Sequence, residues 1–294
     1  MKFSVLLAAA SLAVTSQASG TASLIIATSK APLRVTKRAA NLAGTVPVIM
    51  YHRTGDKEAN MIRSRDNFRK DLNRLYSMGF RPVTLAEYAS NSMKLPPGAS
   101  PVVLTFDDSH PDQFRFLPDG SIDPNCFVGM WLTFAKKHPD FPVKGTFFVL
   151  PNGPFGQKSQ AQKKVKMLMD WGSEIGSHAF SHKSLGKMQD REVMNELAAS
   201  INMIRGLGSD VESVAPPYGI YPTNMDLVKS FALNNRKYSF KYAVLAGSEP
   251  NPPPTAANFN PYRIFRVQAY DGLEGITFWL NRYDQKKRQP YVFP

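Results

Sequence analysis

The sequence predicts an α/β chain wound into a closed or nearly closed (β/α) barrel. Three observations point there. From about residue 46 onward, short apolar runs alternate with stretches of helical period. Repeated strand–helix units imply parallel strands joined by helical crossovers. Seven or so such units in about 250 residues suit a barrel better than an open sheet.

The elements follow in order. Residues 46–51 (VPVIMY) read as a short buried strand. Asp66 is placed to cap a helix whose Phe68, Leu72 and Leu75 recur at helical spacing and which stops at Gly79. Residues 101–106 (PVVLTF) and 145–150 (GTFFVL) are strands, with a helix over 126–137 between them. A basic amphipathic helix is expected over 159–171, a strand over 174–177 and a helix over 190–205. Strands are expected at 212–215, 242–246 and 263–267, and helices near 224–233 and 274–286. Two connections, 109–125 and 247–262, are long enough to suggest functional loops.

Composition bounds the function. Among 294 residues, 36 basic and 23 acidic side chains give a formal charge of +13. Such a balance favours anionic surroundings, but no nucleic-acid module accompanies it and the lysines are scattered. No apolar run after the N-terminus reaches the roughly 18 residues of a membrane span. The lone Cys126 excludes an intramolecular disulfide and a cysteine-rich zinc site. Residues 1–18 read as a signal peptide: Lys2 is the positive start, residues 3–14 the apolar stretch, and Ser16-Gln17-Ala18 a small-x-small cleavage site. The expectation is an exported protein, secreted or periplasmic, with a linker or arm over 19–44 and one catalytic domain over 45–294. A monomer is expected.

The chemistry concentrates in two segments. Thr105-Phe106-Asp107-Asp108 closes a strand. Adjacent side chains diverge there, so one carboxylate can bind a cation while the other accepts a proton. An isolated pair would be no more than an acidic turn. The second segment, GSHAFSH over 176–182, holds two of the chain's five histidines after another strand. Histidines four apart can converge on one metal, and two His with one Asp leave open positions, which suits a catalytic ion.

Together, LTFDD and GSHAFSH resemble the first two motifs of the polysaccharide deacetylases of NodB type. That family reads TFDD followed by H-S/T-x-x-H, and Ala179 takes the Ser/Thr place here. VIMYH and NFRKDLNRLYSMGFRPVTLAEY resemble the N-terminal unit of members acting on exported glucosamine polymers. The resemblance spans about residues 46–270. It implies a distorted (β/α) barrel of about seven parallel strands, with Asp108, His178 and His182 as metal ligands and Asp107 as general base. Zn2+ is the expected ion, and Co2+, Ni2+ or Mn2+ would also be tolerated. Such an ion polarises an amide carbonyl and acidifies water, and a neighbouring carboxylate takes the proton.

The sequence also departs from the family. Residues 215–219 (APPYG) fall where the third motif, R-x-P-Y, is expected: Pro217, Tyr218 and Gly219 match, but Ala215 replaces the arginine that pairs with the base. The resemblance places Pro217 and Tyr218 in the substrate groove, with the Tyr218 N–H facing the oxyanion. Read alone, the segment is a proline-stiffened turn. Arg263 and Arg266 on a late strand are available substitutes, and Arg266 is the candidate. The late L-x-H motif that supplies the general acid is absent. His52, after the first strand, is the candidate proton donor and His110 the runner-up.

Elsewhere the residues read more plainly. Phe114 and Phe116 are expected to anchor their loop, His138 to end a helix, and Lys163, Lys164 and Lys166 to form a solvated face. The leading expectation is a metal-dependent hydrolase that releases acetate from an N-acetylated amino-sugar polymer, with contact to an anionic cell wall. A glycan-binding protein on a degenerate barrel and an O-acetyl esterase are the alternatives.

Overall fold

The structure, a computed structural model, describes residues 38–294. The expected signal peptide, and the arm up to residue 37, lie outside the described residues. In chain order the strands are β1 (Val48–Tyr51), β2 (Arg53–Gly55), β3 (Ile62–Ser64), β4 (Phe80–Val83), β5 (Ser100–Phe106), β6 (Thr146–Val149), β7 (Glu174–Ser177), β8 (Ser213–Val214), β9 (Ser230–Leu233), β10 (Arg236–Ser239), β11 (Tyr242–Ala243) and β12 (Val267–Gln268). The α-helices are α1 (Arg65–Ser77), α2 (Leu85–Ala89), α3 (Phe127–Lys137), α4 (Ala161–Asp170), α5 (Asp190–Gly206) and α6 (Ile276–Asp284).

Eight strands form one parallel sheet in the order β11-β8-β7-β6-β5-β1-β12, with β4 paired to the first half of β5. A parallel bridge from Val244 to Ile264 joins the two ends of this path and curls it into the distorted barrel. All seven residues of β5 are buried, as expected of a parallel strand covered on both faces. β4 was not anticipated, because FRPV places an arginine and a proline among its four residues. Pro82 lacks an N–H, and β4 pairs with β5 alone, so no ladder bond is lost.

Other local expectations are corrected. Ser64, not Asp66, caps α1: its hydroxyl accepts from the Asn67 N–H, while Asp66 lies in the first turn. Helix α1 buries Phe68, Leu72 and Leu75 and ends before Gly79, whose φ of +81° suits glycine. Residues 224–233 are not a helix. A single 3-10 turn, Met225–Val228, leads into the β9–β10 hairpin. Its two central residues, Asn234 and Asn235, are left-handed, as such tight hairpin turns require.

The expected solvated face of α4 fails at Lys164, which is wholly buried. The position follows Ala161 by three and precedes Leu168 by four, and both of those face the core. Phe114 and Phe116 are buried and do anchor their loop. His138 ends α3 and packs on Tyr76 and Phe134. The described end of the arm is tied down, since Arg38 donates to the Gly79 and Gly98 carbonyls and to Ser100 Oγ, each at 3.0 Å. Among the described residues, no helix is long and apolar enough to cross a membrane.

Under the strand ends lies an aromatic core. Phe106 stacks on Phe147 at 4.6 Å and on Tyr51 at 5.4 Å, and Phe68 meets Phe127 edge-on at 4.6 Å. Each such ring contributes about 1.5–3 kcal/mol by leaving water. Phe106 is thereby fixed, and with it the backbone that carries the next residue, Asp107.

Candidate metal and hydrolytic site

His52 follows β1, Asp107 and Asp108 follow β5, His178 follows β7 and Tyr218 comes after β8. In a parallel barrel all these strand ends share one rim. The rim therefore collects every site residue expected from the sequence except Arg266, which reaches it from just before β12.

Asp108 Oδ1 stands 3.2 Å from His178 Nε2 and 3.2 Å from His182 Nε2. These three atoms form a group suited to hold a metal ion. His178 is buried, and its Nδ1 donates to the Ala215 carbonyl at 2.7 Å. That bond fixes the tautomer and turns the Nε2 lone pair toward Asp108. Asp108 Oδ1 is buried and has no hydrogen-bond partner. Ligand atoms about 2.0–2.1 Å from a tetrahedral ion lie about 3.3 Å apart, close to the separations found. The residues present thus fit a divalent cation. Burial pushes the Asp108 carboxyl up, but the imidazoles of His178 and His182 beside it outweigh that and hold the group well below the usual range. The nearness of Asp108 in turn raises His182.

The geometry is held in unfavourable backbone. Asp108, Ser109, Ala179, His182 and Tyr218 all have positive φ, between 46° and 72°. Non-glycine residues adopt this conformation at a cost, and such clusters mark functional sites. At the Asp108 turn the restraint is visible: the Phe155 N–H donates to the Ser109 carbonyl at 2.6 Å, and Ser109 Oγ meets both backbone groups of Leu150. Lys164 Nζ holds Phe155 in turn, donating to its carbonyl at 3.0 Å. Tyr218 sits on the 3-10 turn Pro217–Gly219, with Pro217 buried. Any Cβ on Gly219 would lie 2.7–2.8 Å from Ala246, so only glycine permits the turn. The Tyr218 ring is 63% exposed and packs 4.9 Å from His182.

Asp107 is 1% exposed and receives a two-pronged ion pair from Arg266, at 2.6 and 2.8 Å. The arginine is equally buried. It also donates to the Leu245 carbonyl and Thr105 Oγ1, and it lies over the Phe148 ring. Ala215 stands where the third-motif arginine was expected, and Arg266, just before β12, supplies a guanidinium to Asp107 instead. Burial pushes Asp107 up, but Arg266, with His178 and His52, overrides it and lowers the carboxyl. His52 Nε2 is 3.9 Å from Asp107 Oδ2, and burial lowers its proton affinity against the pull of both aspartates. His110, the runner-up, pairs with Asp112 at 3.0 Å.

Two residues here were not anticipated. Gln113 is fully buried, and its Nε2 donates to the carbonyls of both His52 and Asp107. Glu196 on α5 accepts from the backbone of Phe180 and Ser181. Neither role has a local sequence signal, because each depends on elements brought together only by the fold.

The polysaccharide deacetylase family model matches residues 94–235. The peptidoglycan-N-acetylglucosamine deacetylase PgdA of Listeria monocytogenes is 30% identical over 138 residues, covering 45% of this chain and 25% of that protein. A peptidoglycan-N-acetylglucosamine deacetylase of Bacillus cereus is 29% identical over 140 residues, 47% of this chain and 43% of that protein. The chain therefore spans less than half the length of these curated relatives.

Among solved structures, the Streptococcus pyogenes deacetylase PplD superposes with a TM-score of 0.57 at 18% identity, covering 86% of this chain and all of that one. A Bacillus cereus polysaccharide deacetylase gives 0.59 at 17% identity, covering 81% and 69%. These likenesses concern the fold: a NodB-type barrel. Residues 94–235 carry the domain of the polysaccharide deacetylase family, a family of carbohydrate deacetylases. His52 and Arg266 both fall outside that matched segment.

Proposed function

We propose that the protein is an exported, metal-dependent deacetylase that hydrolyses N-acetyl groups of an amino-sugar polymer and releases acetate. The observation that carries this reading is the buried Asp107–Arg266 pair beside the Asp108, His178 and His182 triad. A divalent ion held by that triad, with Zn2+ the best match to its donors, would supply Lewis acidity toward the acetyl carbonyl and acidify the attacking water. Asp107 takes the proton of that water, and Arg266 keeps the carboxylate charged and aimed. His52, whose backbone Gln113 holds, takes that proton across the 3.9 Å from Asp107 Oδ2 and passes it to the leaving amine. The exposed Tyr218 ring receives the sugar face, and its backbone N–H serves the oxyanion. The formal charge of +13 supports attachment to an anionic wall.

Intact base and ligand residues speak against a glycan-binding protein that has lost its chemistry. An O-acetyl esterase would use the same groups with less demand on His52. Acetate release from chitin oligomers, peptidoglycan and an O-acetylated ester tests all three readings. Metal-dependent release from the N-acetylated substrates, lost in Asp107→Asn, is expected. No release from any substrate by the metal-loaded protein would sink the enzyme reading, and release from the ester alone would change the substrate.

A further inference from the structure

The geometry points to Glu196, with Ser200 one turn further along α5, as positioning residues that hold the His178–His182 loop in its metal-binding shape. This inference rests on the metal-site reading above and extends it to a helix that touches no ligand atom.

Between the two histidines the chain makes a tight excursion with Ala179 at φ 60° and His182 at φ 57°. Neither residue is glycine, and Ala179 has no polar side chain to support the bend. The support comes from α5. Glu196 Oε2 accepts from the Phe180 N–H at 3.2 Å and the Ser181 N–H at 2.8 Å, and Oε1 accepts from Ser181 Oγ at 2.7 Å. One carboxylate thus meets three donors in two adjacent residues. Ser200 Oγ lies 2.7 Å from Ser177 Oγ, which accepts from the Ala179 N–H at 3.2 Å. Glu196 and Ser200 are four apart, on one helix face.

The helix that carries them is anchored by its buried face: Val193, Leu197, Ile201 and Ile204 all lie in the core. Ser181 itself is exposed, so water would satisfy its N–H as well as a carboxylate does. What Glu196 adds is a fixed position for the loop, and that fixes the separation of the two imidazoles on Asp108 Oδ1.

The test measures metal uptake by the full chain, by titration calorimetry with Zn2+ and by the visible spectrum with Co2+. Glu196→Gln keeps the size and loses an acceptor, Glu196→Ala removes the group, and Ser200→Ala is the gentler companion. Loss of groups that orient a metal's ligands weakens binding about 10–100-fold. Glu196→Gln is expected near the lower end and Glu196→Ala near the upper, with a changed Co2+ spectrum and an unchanged metal-free unfolding midpoint. Affinities within about twofold of wild type, with the same spectrum, would overturn the inference. So would weaker binding that only parallels a loss of metal-free stability. If wild type itself takes up neither ion, the metal-site reading fails and this inference falls with it.

Discussion

Arg266→Met is the substitution on which the site can be judged most directly. It leaves Asp107 at 1% exposure without the guanidinium that meets both of its oxygens. Removing one partner of a buried pair costs about 3–5 kcal/mol, because the survivor stays buried and charged. Against a total stability of about 5–15 kcal/mol that is a large fraction. With a urea slope of about 2–3 kcal/mol/M, the unfolding midpoint falls by roughly 1–2.5 M.

The pH dependence carries a definite sign. In wild type the folded Asp107 carboxyl lies below its unfolded value, so its contribution is full above about pH 3.9 and is lost as pH falls through the folded value. In the variant, burial acts without Arg266 and the carboxyl rises above the unfolded value. The folded state then binds the extra proton, and stability falls as pH rises through that window. The deficit against wild type is therefore larger at about pH 7.5 than at about pH 5. Asp107→Asn on the same background removes the stranded charge and recovers part of the loss. Urea unfolding of the four proteins at both pH values is the assay. Equal deficits at the two pH values, together with additive single-mutant effects, would refute the argument.

Four further outcomes are expected. Zinc at about 100 times its dissociation constant raises unfolding stability by about 2.7 kcal/mol, seen as a higher Tm, and His182→Ala abolishes the rise. His52→Gln lowers kcat for acetate release by about 10²–10⁴-fold with metal affinity retained, whereas an unchanged kcat would move the proton-donor role away from this residue. Tyr218→Ala, at a site 63% exposed, raises KM for glycan while shifting urea stability by no more than about 0.5 kcal/mol. Burial lowers the Lys164 amine to about 8 from the ordinary 10.5, so the unfolded state binds more protons between those values and wild type gains stability as pH rises through them. Lys164→Met abolishes that gain, which denaturant titration at pH 8 and above would show.

The chemistry was legible where it is written locally. The resemblance of LTFDD and GSHAFSH to the deacetylase motifs singled out Asp107, Asp108, His178 and His182, which the fold brings together, and the missing third-motif arginine directed the search to Arg266, which the fold sets against Asp107. Burial and rim position followed from the alternation of strands and helices. What stayed hidden depends on long-range placement. Gln113 reads as an ordinary loop residue until β1 and β5 bring the His52 and Asp107 carbonyls together. Glu196 reads as a solvated helix position until α5 packs beneath the histidine loop. β4 escaped because FRPV breaks the apolar pattern, and the β9–β10 hairpin escaped because the helix expected over 224–233 takes in β9. Lys164 is different. The inward spacing of α4 placed it in the core, and its charge argued otherwise; three phenylalanine rings within 5.8 Å of its amine show how the fold accommodates it.

The Asp107–Arg266 pair spans 159 positions of sequence. At the roughly 5–20 residues per second of protein synthesis, the aspartate emerges about 8–32 s before its arginine. During that interval the barrel also lacks Ile264, which bridges to Val244, and β12, which pairs with β1. Until that wall arrives β1 has no partner on that side and Asp107 has no counter-charge. The last wall of the barrel thus brings with it the guanidinium that makes burial of the aspartate tolerable.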